Sequence, residues 1–276
     1  MKRKKGIPAL KILLLVMFLA GIVGIRTKSC DNVSAKDKSG EFENPKSTVE
    51  KLELDSAVEA EENVEEQEAL SAYQLENFPI ISQYPEVPTG CEITALTMVL
   101  NYYGYQVDKE TMAESYLPKI EYSTYYGDDG RLYGNDLNRF FIGNPFSAEE
   151  GTVCGIPALV TAADQYLQQA EGTLRAQDIS GTSSEELYKL IAEGKPVVVL
   201  VTIGMGDRWS TQGWYTENGD YVEWSQNDHG AVLIGYTETT VTIADPIAGM
   251  MEYPRERFES VYLSRGQKSL ILNENI

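Results

Sequence analysis

The sequence predicts an α+β domain in which a helical first half packs against an antiparallel sheet drawn from the second half. Three observations carry this reading. Ile93, Leu96, Val99, Leu100 and Tyr103 recur at three- and four-residue steps, the period of a helix with one buried face. Pro196 to Ile203 is a run of Val, Leu and Ile, as in a strand buried on both faces. Gly230 to Tyr236 and Thr240 to Ala244 are two further apolar strands joined by a short Thr-Glu-Thr turn. Helices early and strands late point to segregated α+β rather than to alternating βαβ units.

The chain divides into three regions. Residues 1–30 carry a basic cap, Met1-Lys2-Arg3-Lys4-Lys5, and an unbroken apolar run from Ile12 to Ile25. That pattern reads as a signal peptide or a signal anchor. Basic residues before the run direct the remainder of the chain to the outside. An extracytoplasmic protein is therefore expected, secreted or held at the membrane through this segment if it is uncleaved. Ala20-Gly21 and Val33-Ser34-Ala35 offer small residues for cleavage, whereas Thr27-Lys28-Ser29 before Cys30 is no lipid-attachment signal. Residues 31–71 form an acidic linker: Glu59 to Glu68 is too charged to bury anything, so a disordered or solvated spacer is expected. Residues 72–276 remain for one domain with ample core.

The net charge is −19, from 42 acidic and 23 basic residues, and such a chain repels phosphate backbones, so no nucleic-acid partner is expected. Cys30, Cys91 and Cys154 form no CxxC pair and no zinc spacing. With a single histidine as well, no metal or other cofactor is expected.

Taken in order, Phe78 to Ile81 predicts a short strand leading to Gln83, and Pro85, Pro88 and Gly90 keep 82–90 a loop. Thr89-Gly90-Cys91-Glu92 fits the S/T-x-x-E capping box, with Thr89 as N-cap and Cys91 at the second helical position. Gly104 marks the stop. Asp108 caps a helix through Met112 and Tyr116 that ends at Pro118. Residues 119–154 read as loop; Asp128-Asp129-Gly130 is a turn, since it lacks the further ligands of a calcium loop. Pro157 to Leu167 predicts a helix, Leu174 to Ile179 a strand, and Ser183-Ser184-Glu185-Glu186 the capped start of a helix ending near Gly194. Trp214 to Trp224 alternates around Asn218-Gly219, the signal of a hairpin with a type I′ turn.

The chemistry concentrates at Cys91, His229 and Asp245. A thiol at a helix N-terminus faces unpaired N–H groups and the positive end of the dipole, which favour thiolate, the nucleophilic form. Glu92 opposes this unless its carboxylate turns back into the capping box. His229 opens one late strand and Asp245 closes the next, so the carboxylate can fix the imidazole tautomer. Gln83 and the Cys91 backbone N–H are candidate oxyanion donors. Together these are the nucleophile, base, orienter and oxyanion groups of a thiol hydrolase. Cys154, the rival thiol, has no cap motif and no upstream Gln, and reads as a small buried residue, with a Cys30–Cys154 disulfide open as an alternative.

The segment Gln83-Tyr84-Pro85-Glu86-Val87-Pro88-Thr89-Gly90-Cys91-Glu92 resembles the "Q-x-P-E-x-P-T-G-C-E" stretch of C39-like cysteine peptidases of Gram-positive bacteria, which belong to the papain-like clan. The resemblance continues through Asn138 to Pro145, Gly194 to Val199, His229 to Tyr236 and Ile243 to Pro246, over roughly residues 76–262. The Cys-to-His separation agrees with the 130–150 residues of papain-type signatures. The resemblance implies a papain-like fold, Cys91 as nucleophile, His229 as general base and acid, Asp245 as orienter and Gln83 as oxyanion donor. It implies a thiol peptidase acting on peptide or protein substrates; a monomer is expected. Relatives that trim double-glycine leaders are fused to an exporter and this chain has no transporter segments, so leader trimming is not expected. Two alternatives stay open: an inactive papain-like module binding peptide or cell-wall ligands, and a thiol amidase or acyl transferase acting on peptidoglycan. The aromatic segment Trp209 to Trp224 either lines a substrate groove or packs as core.

Overall fold

A computed structural model describes residues 71–274. The basic cap, the apolar run, Cys30 and the acidic segment lie outside the described residues. Among the described residues no helix is long and apolar enough to cross a membrane.

The elements run β1 (Tyr73–Gln74), α1 (Cys91–Tyr102), α2 (Lys109–Thr111) continued by a π turn (Met112–Tyr116), β2 (Lys119–Ile120), β3 (Thr124–Tyr126), β4 (Leu132–Gly134), β5 (Phe141–Ile142), α3 (Ile156–Gln169), β6 (Leu174–Asp178), α4 (Ser184–Ala192), β7 (Val197–Thr202), β8 (Trp214–Tyr215), β9 (Tyr221–Val222), β10 (Asp228–Tyr236), β11 (Thr240–Asp245), β12 (Gly249–Pro254), α5 (Arg255–Ser264) and β13 (Ser269–Glu274). The mixed helix-and-sheet class is as expected. The main sheet has seven strands, six of them in the order β12-β11-β10-β7-β13-β6 and β1 off this path, and every pairing in it is antiparallel. Short β1 pairs with the end of β10.

The sheet is organised on β7 and β10, which pair from Asp228↔Thr202 to Leu233↔Val197. β7 is buried at all six residues, which is why its sequence shows no alternation. Helix α1 packs on β10 and β7 and also against α3. It is buried from Cys91 to Leu100, so Ile93, Leu96, Val99 and Leu100 all serve the core. Each such side chain stabilises the fold by roughly 1.5–3 kcal/mol when fully buried. Two threonines on this helix satisfy their hydroxyls locally: Thr94 Oγ1 donates to Gly90 O and Thr97 Oγ1 to Ile93 O, both at 2.7 Å.

A smaller sheet, β3-β4-β8-β9, covers a second cluster of Leu137, Ile142, Val153, Trp214 and Val222. Trp214 is its centre, with Nε1 donating to Asn135 O at 2.7 Å.

Several expectations hold at the level of single residues. Asp108 accepts from Thr111 N, and Ser183 accepts from Glu186 N, as caps do. Others are corrected. Phe78 to Ile81 is not a strand; the strand here is Tyr73–Gln74, and Pro79 could not have donated to a ladder. Residues 119–154 are not loop throughout but hold β2 to β5. The 214–224 hairpin forms, but without the type I′ turn. Gly219 N donates to Thr216 O and Thr216 N to Asp220 O, with positive φ at Gly219 and not at Asn218. This is a type I turn closed by a left-handed glycine bulge, which leaves Asn218 an ordinary backbone. The division into a helical first half and a late sheet is too coarse: β1 and β6 come early, while α5 comes late and packs on β7, β11 and β12.

Candidate active site

Loop 82–90 is pinned from several sides before α1 begins. Gln83 N donates to Pro246 O, and Lys109 Nζ reaches Glu86 Oε2 at 2.8 Å. The Thr89 hydroxyl lies 3.0 Å from Ser147 O and is also near the carbonyls of Asn144 and Pro145. Thr89 therefore does not cap α1. The N-cap is Gly90, with no side-chain hydrogen bond, and Cys91 is the first helical residue rather than the second. The Thr89 side chain is turned toward the 144–147 carbonyls, and its oxygen accepts no N–H from the first turn of α1.

With no capping box, Glu92 turns inward. It is buried, and its Oε2 accepts the Cys91 S–H at 3.3 Å. Oε1 has no partner. Cys91 Sγ also accepts the Gly230 N–H at 3.4 Å, which ties α1 to β10. Gly230 must be glycine here: a Cβ would stand 2.5 Å from Glu92 Cα.

His229 and Asp245 meet as the sequence expects. Nε2 of His229 lies 2.9 Å from Asp245 Oδ1, and both side chains are buried. The register explains the meeting. Val232 faces Ala244, so Asp245 falls opposite Ala231, and His229 lies two residues further on the same face. Asp245 Oδ1 also accepts from Ile247 N at 2.7 Å and Ala248 N at 3.1 Å. Burial works against its ionisation, but the His229 hydrogen bond and charge and the two N–H groups outweigh it, holding the carboxyl below its ordinary value. An ionised carboxylate only accepts, so Nε2 carries the proton of neutral His229 and Nδ1 keeps its lone pair. Nδ1 has no hydrogen-bond partner.

The structure departs from the sequence on the state of the thiol. Burial pushes Cys91 well above the usual thiol value and Glu92 adds to this, while the Gly230 N–H opposes. The loss of water around the sulfur works against the thiolate that a helix N-terminus favours. Gln83 is buried near the start of α1 with Nε2 donating to Pro88 O at 2.5 Å, so one of its two N–H bonds is already committed. The Cys91 N–H, first in α1, has no intrahelical acceptor. Cys154 is a free buried thiol, and burial, then Glu92, raise it as well.

Glu92 thus opposes thiolate, as the sequence expects of a carboxylate that does not close the capping box; its contact with Gly230 on β10 lies across the fold and has no local signal. Beyond Glu92 lies the buried pair Arg265–Asp228, 2.7 Å apart. A cavity of about 350 Å³ opens there, lined by Cys154, Arg208, Tyr221, Asp228, Arg265 and Lys268 among others; neither Cys91 nor His229 lines it. Among the described residues no cluster of His, Cys, Asp and Glu could hold a metal ion.

The model of the Peptidase C39 like family matches residues 75–270. The uncharacterised protein YvpB of Bacillus subtilis (strain 168) is 27% identical over 269 residues, covering 96% of this chain and 99% of that protein. A crystal structure from Bacillus anthracis, of a protein named as a candidate C39-like peptidase, is 33% identical with a TM-score of 0.64, covering 74% of this chain and 98% of the other.

Proposed function

The chain belongs to the Peptidase C39 like family, and on that premise we propose that it is a cysteine peptidase hydrolysing peptide bonds through Cys91, His229 and Asp245. The observation that carries this reading is the pairing of His229 Nε2 with Asp245, which leaves Nδ1 a base with no other partner. The Gly230 N–H, next along the chain, bonds the Cys91 sulfur.

In this reading Nδ1 takes the Cys91 proton and Sγ attacks the scissile carbonyl carbon. Charge on the carbonyl oxygen is met by the Cys91 N–H and the second N–H of Gln83 Nε2. The C–N bond breaks as His229 passes its proton to the leaving amine, giving a thioester. His229 then deprotonates a water that attacks the thioester, and the acid is released with the thiol restored. The substrate is a peptide or protein, and the N-terminal apolar run exports the domain or anchors it outside the membrane.

One observation favours a second reading, a non-catalytic module: the Cys91 S–H points to the buried Glu92 carboxyl, and burial works against ionisation of the thiol. Peptide-resolved alkylation of Cys91 and Cys154, with digestion of a peptide library and of muropeptides, separates the readings. The peptidase reading expects cleavage of peptides that Cys91→Ala abolishes, and faster labelling at Cys91 than at Cys154. Equal labelling with turnover unaffected by Cys91→Ala would overturn it. Cleavage of muropeptides alone would move the same chemistry to peptidoglycan.

A further inference from the structure

Cys91 and Glu92 are chain neighbours whose side chains meet in the core, and the thiol proton is directed at Glu92 Oε2, 3.3 Å away. His229 Nδ1, the base in the peptidase reading, has no partner. The proton that the reaction must move is thus held by a carboxyl group and not by the base.

The surroundings of Glu92 leave that carboxyl poised. Burial pushes it up to about 7, and Asp228 on β10 pushes the same way. Its own N–H, the Cys91 S–H and the Cys154 backbone N–H pull it down. Arg265, following α5, attracts it but is bonded to Asp228 at 2.7 Å. Oε1 is buried with no partner. Gly230 supplies the room, since any side chain there would collide with Glu92.

We propose that Glu92 is a fourth working member of the site, controlling whether Cys91 is a thiol or a thiolate. When ionised it accepts the S–H proton, and its charge opposes a second negative charge on sulfur. When protonated it no longer repels, and its O–H turns to donate to the sulfur. The S–H bond then breaks as the proton passes to Nδ1 of His229, leaving thiolate, imidazolium and a neutral carboxyl group. The proton on Glu92 comes from water, and no oxidant or other reactant is needed. The part assigned to His229 rests on the peptidase reading; the control of the sulfur by Glu92 does not.

The test is the pH dependence of Cys91 alkylation by iodoacetamide, followed on the Cys91 peptide in the full chain and in Glu92→Gln, whose neutral amide mimics the protonated carboxyl. At about pH 8 the variant is expected to label at least about tenfold faster, one unit of thiol pKa being a tenfold change in thiolate. A second measurement needs no variant. The infrared S–H stretching band of Cys91, assigned by its loss in Cys91→Ala, is expected to gain intensity as the pH rises through about 7 and the carboxylate accepts the S–H proton, and to fade below it, where the sulfur is thiolate. An alkylation profile of folded Glu92→Gln that superimposes on the parent, or an S–H band of unchanged intensity across that pH range, overturns the proposal. Faster labelling in a protein that cleaves no peptide keeps Glu92 in this role and removes the peptidase reading. Cleavage with an unchanged profile does the reverse.

Discussion

Asp245 holds His229 through a single carboxylate oxygen that also accepts two backbone N–H groups from its own turn. Oδ1 lies 2.9 Å from His229 Nε2, 2.7 Å from Ile247 N and 3.1 Å from Ala248 N. The turn fixes the carboxylate, and the carboxylate fixes the ring. Asp245→Asn is therefore expected to lower kcat by on the order of 10²- to 10⁴-fold, since an amide can present its N–H to Nε2 and favour the wrong tautomer. Steady-state kinetics on a cleaved peptide check this, with KM expected to change little.

The same carboxylate gives a signed dependence of stability on pH. Its folded value lies below its ordinary one, so in the interval between them the unfolded chain binds more protons and stability rises with pH. The contribution is complete above the usual aspartate value near 4 and is lost as pH falls through the lower folded value. Urea midpoints of the parent and Asp245→Asn should differ by a constant amount from neutral pH down to about 4 and converge below it. A gap that persists undiminished in acid would contradict the assignment.

Glu92 has the opposite sign. Its folded carboxyl keeps its proton up to about 7 against an ordinary value of 4.5, so between these values the folded state binds more protons and stability falls as pH rises. Glu92→Gln should be nearly neutral in acid and stabilising above neutrality by about 3 kcal/mol, the order of magnitude of that displacement. Denaturant titrations from about pH 4 to 8 read the difference directly.

Gly230→Ala tests the contact between β10 and α1. The added methyl would stand 2.5 Å from Glu92 Cα and 2.9 Å from both Glu92 N and Cγ. Backbone cannot yield as a flexible side chain does, so a loss of about 1–3 kcal/mol is expected. Because the Gly230 N–H bonds Cys91 Sγ, Cys91 alkylation should change in the same variant. Thermal unfolding and peptide-resolved labelling measure the two effects.

Trp214→Ala separates the small sheet from the site. Trp214 fills the core beneath β3, β4, β8 and β9, so its loss should destabilise by about 3–5 kcal/mol. It touches neither Cys91 nor His229 in any hydrogen bond or ring contact, so the Cys91 labelling rate of the folded variant should match the parent. A variant that unfolds readily but labels normally when folded is the expected result.

What the sequence determined by itself is what depends on near neighbours along the chain. The three- and four-residue steps of α1, the unbroken apolar run of β7 and the paired strands β10 and β11 are local patterns, and each forms where the pattern predicts. The meeting of His229 with Asp245 follows from one antiparallel register, so it was legible too. The late elements β12, α5 and β13 were not. β12 alternates half-buried with exposed residues, and α5 buries few residues of mixed spacing, so neither gives a clear apolar signal.

The tertiary structure decided what surrounds Cys91. Thr89-Gly90-Cys91-Glu92 has the composition of a capping box, and in isolation the Thr89 hydroxyl and the Glu92 carboxylate would close it. In the fold the Thr89 hydroxyl donates toward carbonyls at 144–147, more than fifty residues away, and α1 has no side-chain cap. Glu92 then turns into the space left by Gly230, and burial together with that carboxyl works against the thiolate that a helix N-terminus favours. A local motif fixes which groups are available; burial and the competition of distant partners fix which hydrogen bond each makes, and with it the charge on Cys91.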